Sequence, residues 1–161
     1  MEEKYAGSEV LQMAVELEIK GKAFYDGVVG AVKDEKVRTI FQFLADEETR
    51  HEKVFREMLA ELEPASSPSP YDDTELVLYF RSLIDRKIFP DEQEGPSMKK
   101  DLSNPAAAIR IALSLEKDAV LFFHELLPVT HEKDHPAVQR IIEEERDHIR
   151  RILKLKSELH V

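Results

Sequence analysis

The amino-acid sequence predicts an all-α fold, a bundle of four long helices in two antiparallel pairs, and three observations carry that expectation. Glycine is scarce, 5 residues in 161, while charged residues make up 35% of the chain; long amphipathic helices fit this balance better than a turn-rich β fold does. Apolar residues recur every three or four positions in four separate stretches, which is the helical period. Proline-rich sequence falls between the second and third stretches, whereas the other two joints are short.

Over 8–32, Val10, Leu11, Ala14, Leu17, Gly21, Phe24, Tyr25 and Val28 form one face of a first helix, whose end Gly27 and Gly30 weaken. Asp34 is placed to cap a second helix over 35–62, striped by Val37, Ile40, Phe41, Leu44, His51, Val54, Phe55, Met58 and Leu62. So short a joint around Lys33 makes the two antiparallel neighbours. The run Pro64-Ala65-Ser66-Ser67-Pro68-Ser69-Pro70 cannot continue a helix, because each proline loses a donor and crowds the preceding turn. Asp73 or Thr74 can cap a shorter amphipathic helix through Leu76, Tyr79, Phe80, Leu83 and Ile84, before Pro90 to Pro96 breaks the pattern again; residues 64–103 thus form one long crossover. Asn104-Pro105 opens the third long helix, 105–127, with Asn as cap and Pro in the first turn where its missing donor is harmless. Its face is Ile109, Ala112, Leu115, Ala119, Phe122, Phe123 and Leu126, and Pro128 lies near its end. His135-Pro136 opens the fourth, 136–159, striped by Val138, Ile141, Ile142, Ile149, Ile152, Leu155 and Leu159. One long crossover between two antiparallel pairs is the ferritin-like connection of a four-helix bundle.

A chain of 161 residues fits a single domain, 1–161, able to bury roughly 70% of its unfolded-chain surface. With 23 Lys and Arg against 33 Asp and Glu, a formal net charge of −10, the attraction that drives phosphate-backbone binding is missing, and nucleic acid is not an expected partner. Cysteine is absent, which removes disulfides, thiolate metal sites, iron–sulfur ligation and cysteine nucleophiles together. Any metal must then be held by Glu, Asp or His. Met1-Glu2-Glu3-Lys4-Tyr5 lacks a basic-then-apolar signal pattern, and no apolar run approaches the ~18 residues of a membrane span. No membrane association is expected, and the expected location is cytoplasmic.

Each apolar stripe is broken by residues that do not belong in a core. Glu18 sits between Leu17 and Gly21, Glu48 between Leu44 and His51, Glu116 after Leu115, and Glu145 with His148 between Ile142 and Ile149. Four carboxylates and two imidazoles are therefore expected to face inward. An unpaired buried carboxylate costs several kcal/mol, so protons, cations or a shared metal must neutralise them. Glu48 to His51 and Glu145 to His148 are each three residues apart, which places both members of each pair on one helix face, one turn apart. Glu18 and Glu48 are 30 residues apart, Glu116 and Glu145 29, so the two hairpins repeat the same design.

Two Glu-x-x-His helices and two single-Glu helices make a standard di-metal carboxylate set: each ion takes a Glu and a His, and the remaining two Glu bridge. In the usual arrangement Glu48 and Glu145 bridge and Glu18 and Glu116 are terminal. Hard oxygen ligands with two imidazoles suit two Fe ions, or Mn; Zn would occupy the site without redox chemistry. The competing reading is a buried salt-bridge layer. A third Glu-x-x-His, Glu132-Lys133-Asp134-His135, lies in the joint before Pro136 with no inward stripe and no partner hairpin, and is read as a coincidence of a Glu-rich chain. Tyr25, two turns after Glu18, either hydrogen-bonds a ligand carboxylate as a supporting catalytic residue or is simply core; the matching position, Phe123, cannot do the former. Glu47 and Glu144 either accept the free N–H of a ligand histidine across the bundle or stand in solvent. His124, His131 and His160 read as surface residues.

As a set, Glu18-Ile19-Lys20-Gly21-Lys22-Ala23-Phe24-Tyr25, Glu47-Glu48-Thr49-Arg50-His51, Glu116-Lys117-Asp118-Ala119-Val120-Leu121-Phe122-Phe123 and Glu144-Glu145-Arg146-Asp147-His148 resemble the rubrerythrin-like branch of the ferritin-like di-iron carboxylate superfamily. The resemblance covers the four long helices, and the 64–103 crossover lies outside it. It implies a non-haem di-iron centre at Glu18, Glu48, His51, Glu116, Glu145 and His148 that reacts with peroxide or dioxygen, as in peroxide-reducing rubrerythrins and ferroxidases. Two features depart from it. Rubrerythrins proper carry a cysteine-ligated rubredoxin-like domain, and this chain has no Cys, so a separate electron-donor protein is expected. Rubrerythrins also tend to have a further Glu one turn after the third-helix ligand, where this chain has Ala119, so a carboxylate that swaps with a histidine on redox change is missing. A homodimer is the expected assembly. An iron-binding or sensing bundle without catalysis is the second function class, and a metal-free bundle the third.

Overall fold

Asp34 and Asn104 decide where two of the helices begin. Asp34 Oδ1 accepts the backbone N–H of Lys36 at 2.9 Å and of Val37 at 3.1 Å. Asn104, extended at φ −90° and ψ 112°, accepts from Ala106 and Ala107 ahead of Pro105 in the first turn. Each cap satisfies helix-end donors that have no partner within the helix. The computed structural model describes residues 7–61, 74–84 and 102–161. Its α-helices are α1 (Gly7–Ala31), α2 (Glu35–Glu61), α3 (Thr74–Ile84), α4 (Pro105–Leu126) and α5 (His135–Leu159), with 3₁₀ turns at Leu127–Val129 and Glu132–Asp134 between the last two.

The long helices lie within a residue of the expected bounds, and α3 is the short helix expected inside the crossover. The proline-rich stretches 64–70 and 90–96 lie outside the described residues. As expected for a helix over 8–32, α1 runs on through Gly27 and Gly30 and ends at Ala31. At Gly27 the missing side chain is useful, since a Cβ there would meet Leu102 Cδ1 at 3.2 Å. At the other end of the chain His160 takes a left-handed conformation, φ 54° and ψ 41°, and its N–H returns to Lys156 and Ser157 carbonyls to close α5.

α1 packs along α2 and α4 along α5; the two hairpins meet through α1 on α4 and α2 on α5, and α3 covers the α1–α4 side. Arg81 of α3 reaches Glu16 of α1 at 2.8 Å. The apolar interior is divided in two. One cluster gathers Val10, Met13, Phe55, Phe80, Phe122, Phe123 and Ile142, with Phe55 stacked on Phe123 at 5.0 Å and Phe80 edge-on to Phe122 at 5.2 Å. The other gathers Phe24, Tyr25, Phe41, Leu44, Ile109, Ala112 and Ile152. Between them lies a polar layer contributed by all four long helices. No helix among the described residues is long and apolar enough to cross a membrane.

The caps give a stability expectation. Asn104→Ala, which strips two N–H groups of α4 of their acceptor, should lower unfolding stability by about 1 kcal/mol. Leu153→Ala, at a residue 47% exposed, should change it by less than about 0.5 kcal/mol. Urea denaturation followed by circular dichroism checks both; equal midpoints for the two variants would remove the cap from the account of α4.

Candidate metal centre

Among the described residues the buried charged side chains are Glu18, Glu48, His51, Glu116, Glu145 and His148, and no others. Every one breaks an apolar stripe. Their helices cannot turn them outward without exposing the apolar residues on either side, so packing at the two ends of the bundle holds the six in its middle.

They form two overlapping quartets. Glu18, Glu48, His51 and Glu145 bring one ligand atom each within 4.8 Å of one another, and so do Glu48, Glu116, Glu145 and His148. Glu48 and Glu145 belong to both sets, while Glu18 with His51, and Glu116 with His148, belong to one each. Both histidines aim Nδ1 inward: His51 Nδ1 stands 2.8 Å from Glu145 and 3.7 Å from Glu18, and His148 Nδ1 stands 3.0 Å from Glu145 and 3.3 Å from Glu116. Several of these atoms have no hydrogen bond although they are buried, namely both oxygens of Glu18, Oε1 of Glu145, Nδ1 of His51 and Nε2 of His148. Buried polar atoms left orphaned in a cluster mark a place where something else completes the contacts. The donor set fits two divalent cations, whose four positive charges match four carboxylates, with oxygen and imidazole ligands for each.

In the metal-free chain protons must supply that compensation. Burial, above all, pushes Glu18 and Glu48 well above the ordinary carboxylate range. Burial and the charge of Glu145 push Glu116 up to about 8. Glu145 goes the other way: burial opposes its charge, but contacts with Glu116, His148 and His51 hold it below the usual range. Burial also opposes charge on the imidazoles, yet Glu145 beside His51 and Glu116 with Glu145 beside His148 raise them to about 9 and about 10.

Neighbouring residues shape the layer. The Tyr25 hydroxyl donates to Glu116 Oε1 across the α1–α4 contact, and burial with the charge of Glu116 raises its pKa, so it keeps its proton. Phe123, at the matching place in the second hairpin, instead stacks on Phe55. Gly21 has a role that periodicity alone misses. A Cβ there would lie 3.2 Å from Glu48 Cδ and 3.4 and 3.5 Å from its oxygens, so the glycine leaves the carboxylate its space. Its counterpart in α4 is Ala119, also small, and that correspondence is the signal that could have marked both. Together with Leu17, Glu18, Tyr25, Glu48, Leu115 and Glu116 they line a cavity of about 20 Å³.

On the opposite, α2–α5 side, His51 Nε2 lies 3.0 Å from Glu144, and His148 Nε2 lies 3.9 Å from Glu47. The two rings stack, 5.7 Å apart and 17° from parallel. Arg50, not singled out by sequence reasoning, joins the outer carboxylates at 2.5 Å to Glu47 and 3.0 Å to Glu144. The i, i+3 spacing of Glu47 and Arg50 is its trace in the sequence. The third Glu-x-x-His stays apart: His135 Nε2 faces the Thr130 carbonyl at 3.2 Å, and Glu132 lies in an exposed turn. His124, His131 and His160 are exposed.

Comparison with known proteins agrees with this geometry. Residues 9–156 match the family model described as Rubrerythrin. A Thermotoga maritima crystal structure, described as that of a ferritin-like diiron-carboxylate protein, is similar over 94% of each chain at 26% identity, with a TM-score of 0.64. No curated protein matches the chain.

The raised groups set the pH dependence of the metal-free protein. A group with a raised folded pKa contributes stability that is complete below its unfolded pKa and is lost as pH rises through the folded value. For Glu116 that window runs from 4.5 to about 8, and for His51 and His148 from 6.5 to about 9 and about 10. Glu145, lowered, adds stability that disappears only as pH falls below 4.5. Chelator-treated protein should therefore melt at progressively lower temperature from pH 6 to pH 9. A midpoint that rises over this interval would contradict the protonation pattern.

Proposed function

The chain belongs to the rubrerythrin family, and from that premise we propose that it is a non-haem di-iron carboxylate oxidoreductase that reduces peroxide or oxidises Fe(II) with peroxide or dioxygen. The observation that carries this reading is the pair of overlapping quartets with Glu48 and Glu145 in common. One iron would be held by Glu18 and His51, the other by Glu116 and His148, with Glu48 and Glu145 between them; Mn or Zn could take the same ligands. Two ferrous ions bound there would supply the two electrons that, with two protons, convert hydrogen peroxide to two molecules of water.

The surrounding residues support that chemistry. A cavity of about 20 Å³ beside Glu18, Glu48 and Glu116 exceeds the ~10–15 Å³ that one water needs and has no room for an organic substrate. Leu17, Leu115 and Ala119 on its wall exclude bulk water, while the Tyr25 hydroxyl donates its proton in a hydrogen bond to the Glu116 oxygen next to it. Reducing equivalents would come from a separate electron-donor protein, and a homodimer is the assembly we favour.

Two measurements test the proposal. Anaerobic Fe(II) titration followed by metal analysis should give about two ions per chain, the number the two quartets imply. His51→Ala and His148→Ala should lower it, and His135→Ala should not. Loss of metal in His135→Ala as large as in His51→Ala would refute the ligand assignment. Stopped-flow mixing of the Fe(II)-loaded protein with each oxidant should show faster oxidation by hydrogen peroxide than by dioxygen. Faster reaction with dioxygen would turn the reading to ferroxidase chemistry, and no reaction with either at full iron occupancy would favour non-catalytic iron binding or sensing.

A further inference from the structure

Glu47 and Glu144 stand outside the two quartets, and the proposed chemistry does not use them. They lie where the polar layer comes nearest to solvent on the α2–α5 side, their side chains 22% and 20% exposed. With His51 they form a third set of ligand atoms within 4.8 Å of one another. A second nitrogen is aimed at the same place: His148 Nε2 is buried, has no hydrogen-bond partner, and stands 3.9 Å from Glu47. The present occupant is the guanidinium of Arg50, paired with both carboxylates, while Arg140 holds Glu144 from outside at 3.0 Å.

We propose that Glu47, Glu144 and His51 Nε2 form an outer capture site for a divalent cation, through which metal reaches the buried quartets, and that Arg50 is its exchangeable plug. The inference rests on the metal-centre reading above. The other approaches to the layer suit a cation poorly. The two ends of the bundle are closed by aromatic clusters, and the cavity on the α1–α4 side, about 20 Å³, is too small for a hydrated divalent cation, which would have to shed its waters before reaching any replacement for them. On the α2–α5 side two carboxylates supply that replacement at the surface. Arg50 is 40% exposed, so solvent and salt screen its ion pairs and the side chain has solvent to swing into.

His51 connects the two levels. Its ring presents Nε2 to Glu144 and Nδ1 to Glu145 and Glu18. An ion on Nε2 leaves the proton on Nδ1, facing Glu145; an ion on Nδ1 leaves the proton on Nε2, where Glu144 accepts it. The ring serves one side at a time. The outer set is therefore a waystation, vacated as the inner set fills, and adds nothing to the final stoichiometry.

The test uses the full chain, stripped of metal, and Co(II) alone as probe, with uptake followed by the absorbance of bound Co(II) after rapid mixing. Removing the plug with Arg50→Gln should speed uptake by about threefold or more, and Glu47→Gln should slow it by a similar factor. Both should reach the final stoichiometry of the unmodified chain. Arg150→Gln and Glu143→Gln make the same charge changes at exposed positions on α5 whose partners are Asp147 and Arg146; they should load at the unmodified rate. Unchanged or slower loading in Arg50→Gln would overturn the proposal and make Arg50 a residue that only positions Glu144. Equal acceleration in Arg150→Gln would also overturn it, reducing the effect to net charge. If the unmodified chain takes up no Co(II), the metal-centre reading itself fails, and this inference with it.

Discussion

Four carboxylates buried in one layer repel one another, and the interior of the bundle is arranged around that repulsion. The helices bring Glu18, Glu48, Glu116 and Glu145 together because the apolar residues above and below them must be inside. Once there, the charges need compensation that apolar neighbours cannot provide. Two imidazoles, the Tyr25 hydroxyl and the space beside Gly21 are all placed against them. With protons as the only compensation, Glu116 and both histidines sit far from their ordinary pKa values; divalent cations remove the conflict at its source.

Much of this is legible in the sequence, because the site consists of violations of a simple rule. A Glu at an inward position of an amphipathic helix stands out against Leu and Ile, and the recurrence of Glu with His three residues later in the second hairpin separates the pattern from chance. The Glu-x-x-His ending at His135 has the spacing without the inward face, and the structure spreads it over the 3₁₀ turn that leads into α5, its imidazole against a backbone carbonyl. Helix boundaries are equally readable where a side chain caps the backbone, as at Asp34 and Asn104. What stays hidden depends on contacts between helices. Gly21 reads as one more small apolar residue until the carboxylate of Glu48 is seen 3.2 Å from where its Cβ would be. Arg50 reads as a surface cation until Glu144, 94 positions away, is found beside it. Periodicity tells which face a residue occupies and is silent about what lies across from it.

The two hairpins repeat the buried Glu and His side chains but not their supports. Arg50 sits one residue before its histidine and gathers both outer carboxylates, whereas the same place in α5 holds Asp147, paired outward with Arg150. Glu144 is drawn to His51 at 3.0 Å, and Glu47, held by Arg50, stops 3.9 Å short of His148. The imidazoles are therefore oriented by unequal partners, and a bound histidine's basicity follows the group on its far nitrogen. Tyr25 adds to the inequality, since it supports Glu116 and its counterpart Phe123 supports nothing polar. Near-symmetric side chains set in asymmetric surroundings give two candidate metal positions that differ in electronics although they share the same residue types.

The division of the apolar interior into two clusters has a consequence for cooperativity. Each cluster draws on all four long helices, one through Val10, Phe55, Phe122 and Val138, the other through Phe24, Phe41, Ile109 and Ile152. The layer between them contributes charge where a continuous core would contribute contact. Either end can then loosen on its own, since opening one leaves the contacts of the other intact. Ions bound by residues from all four helices would change the unit of unfolding: parting any two helices at either end would strain bonds to a shared centre. Occupancy of the layer would thus set not only how stable the bundle is but how many pieces it comes apart in.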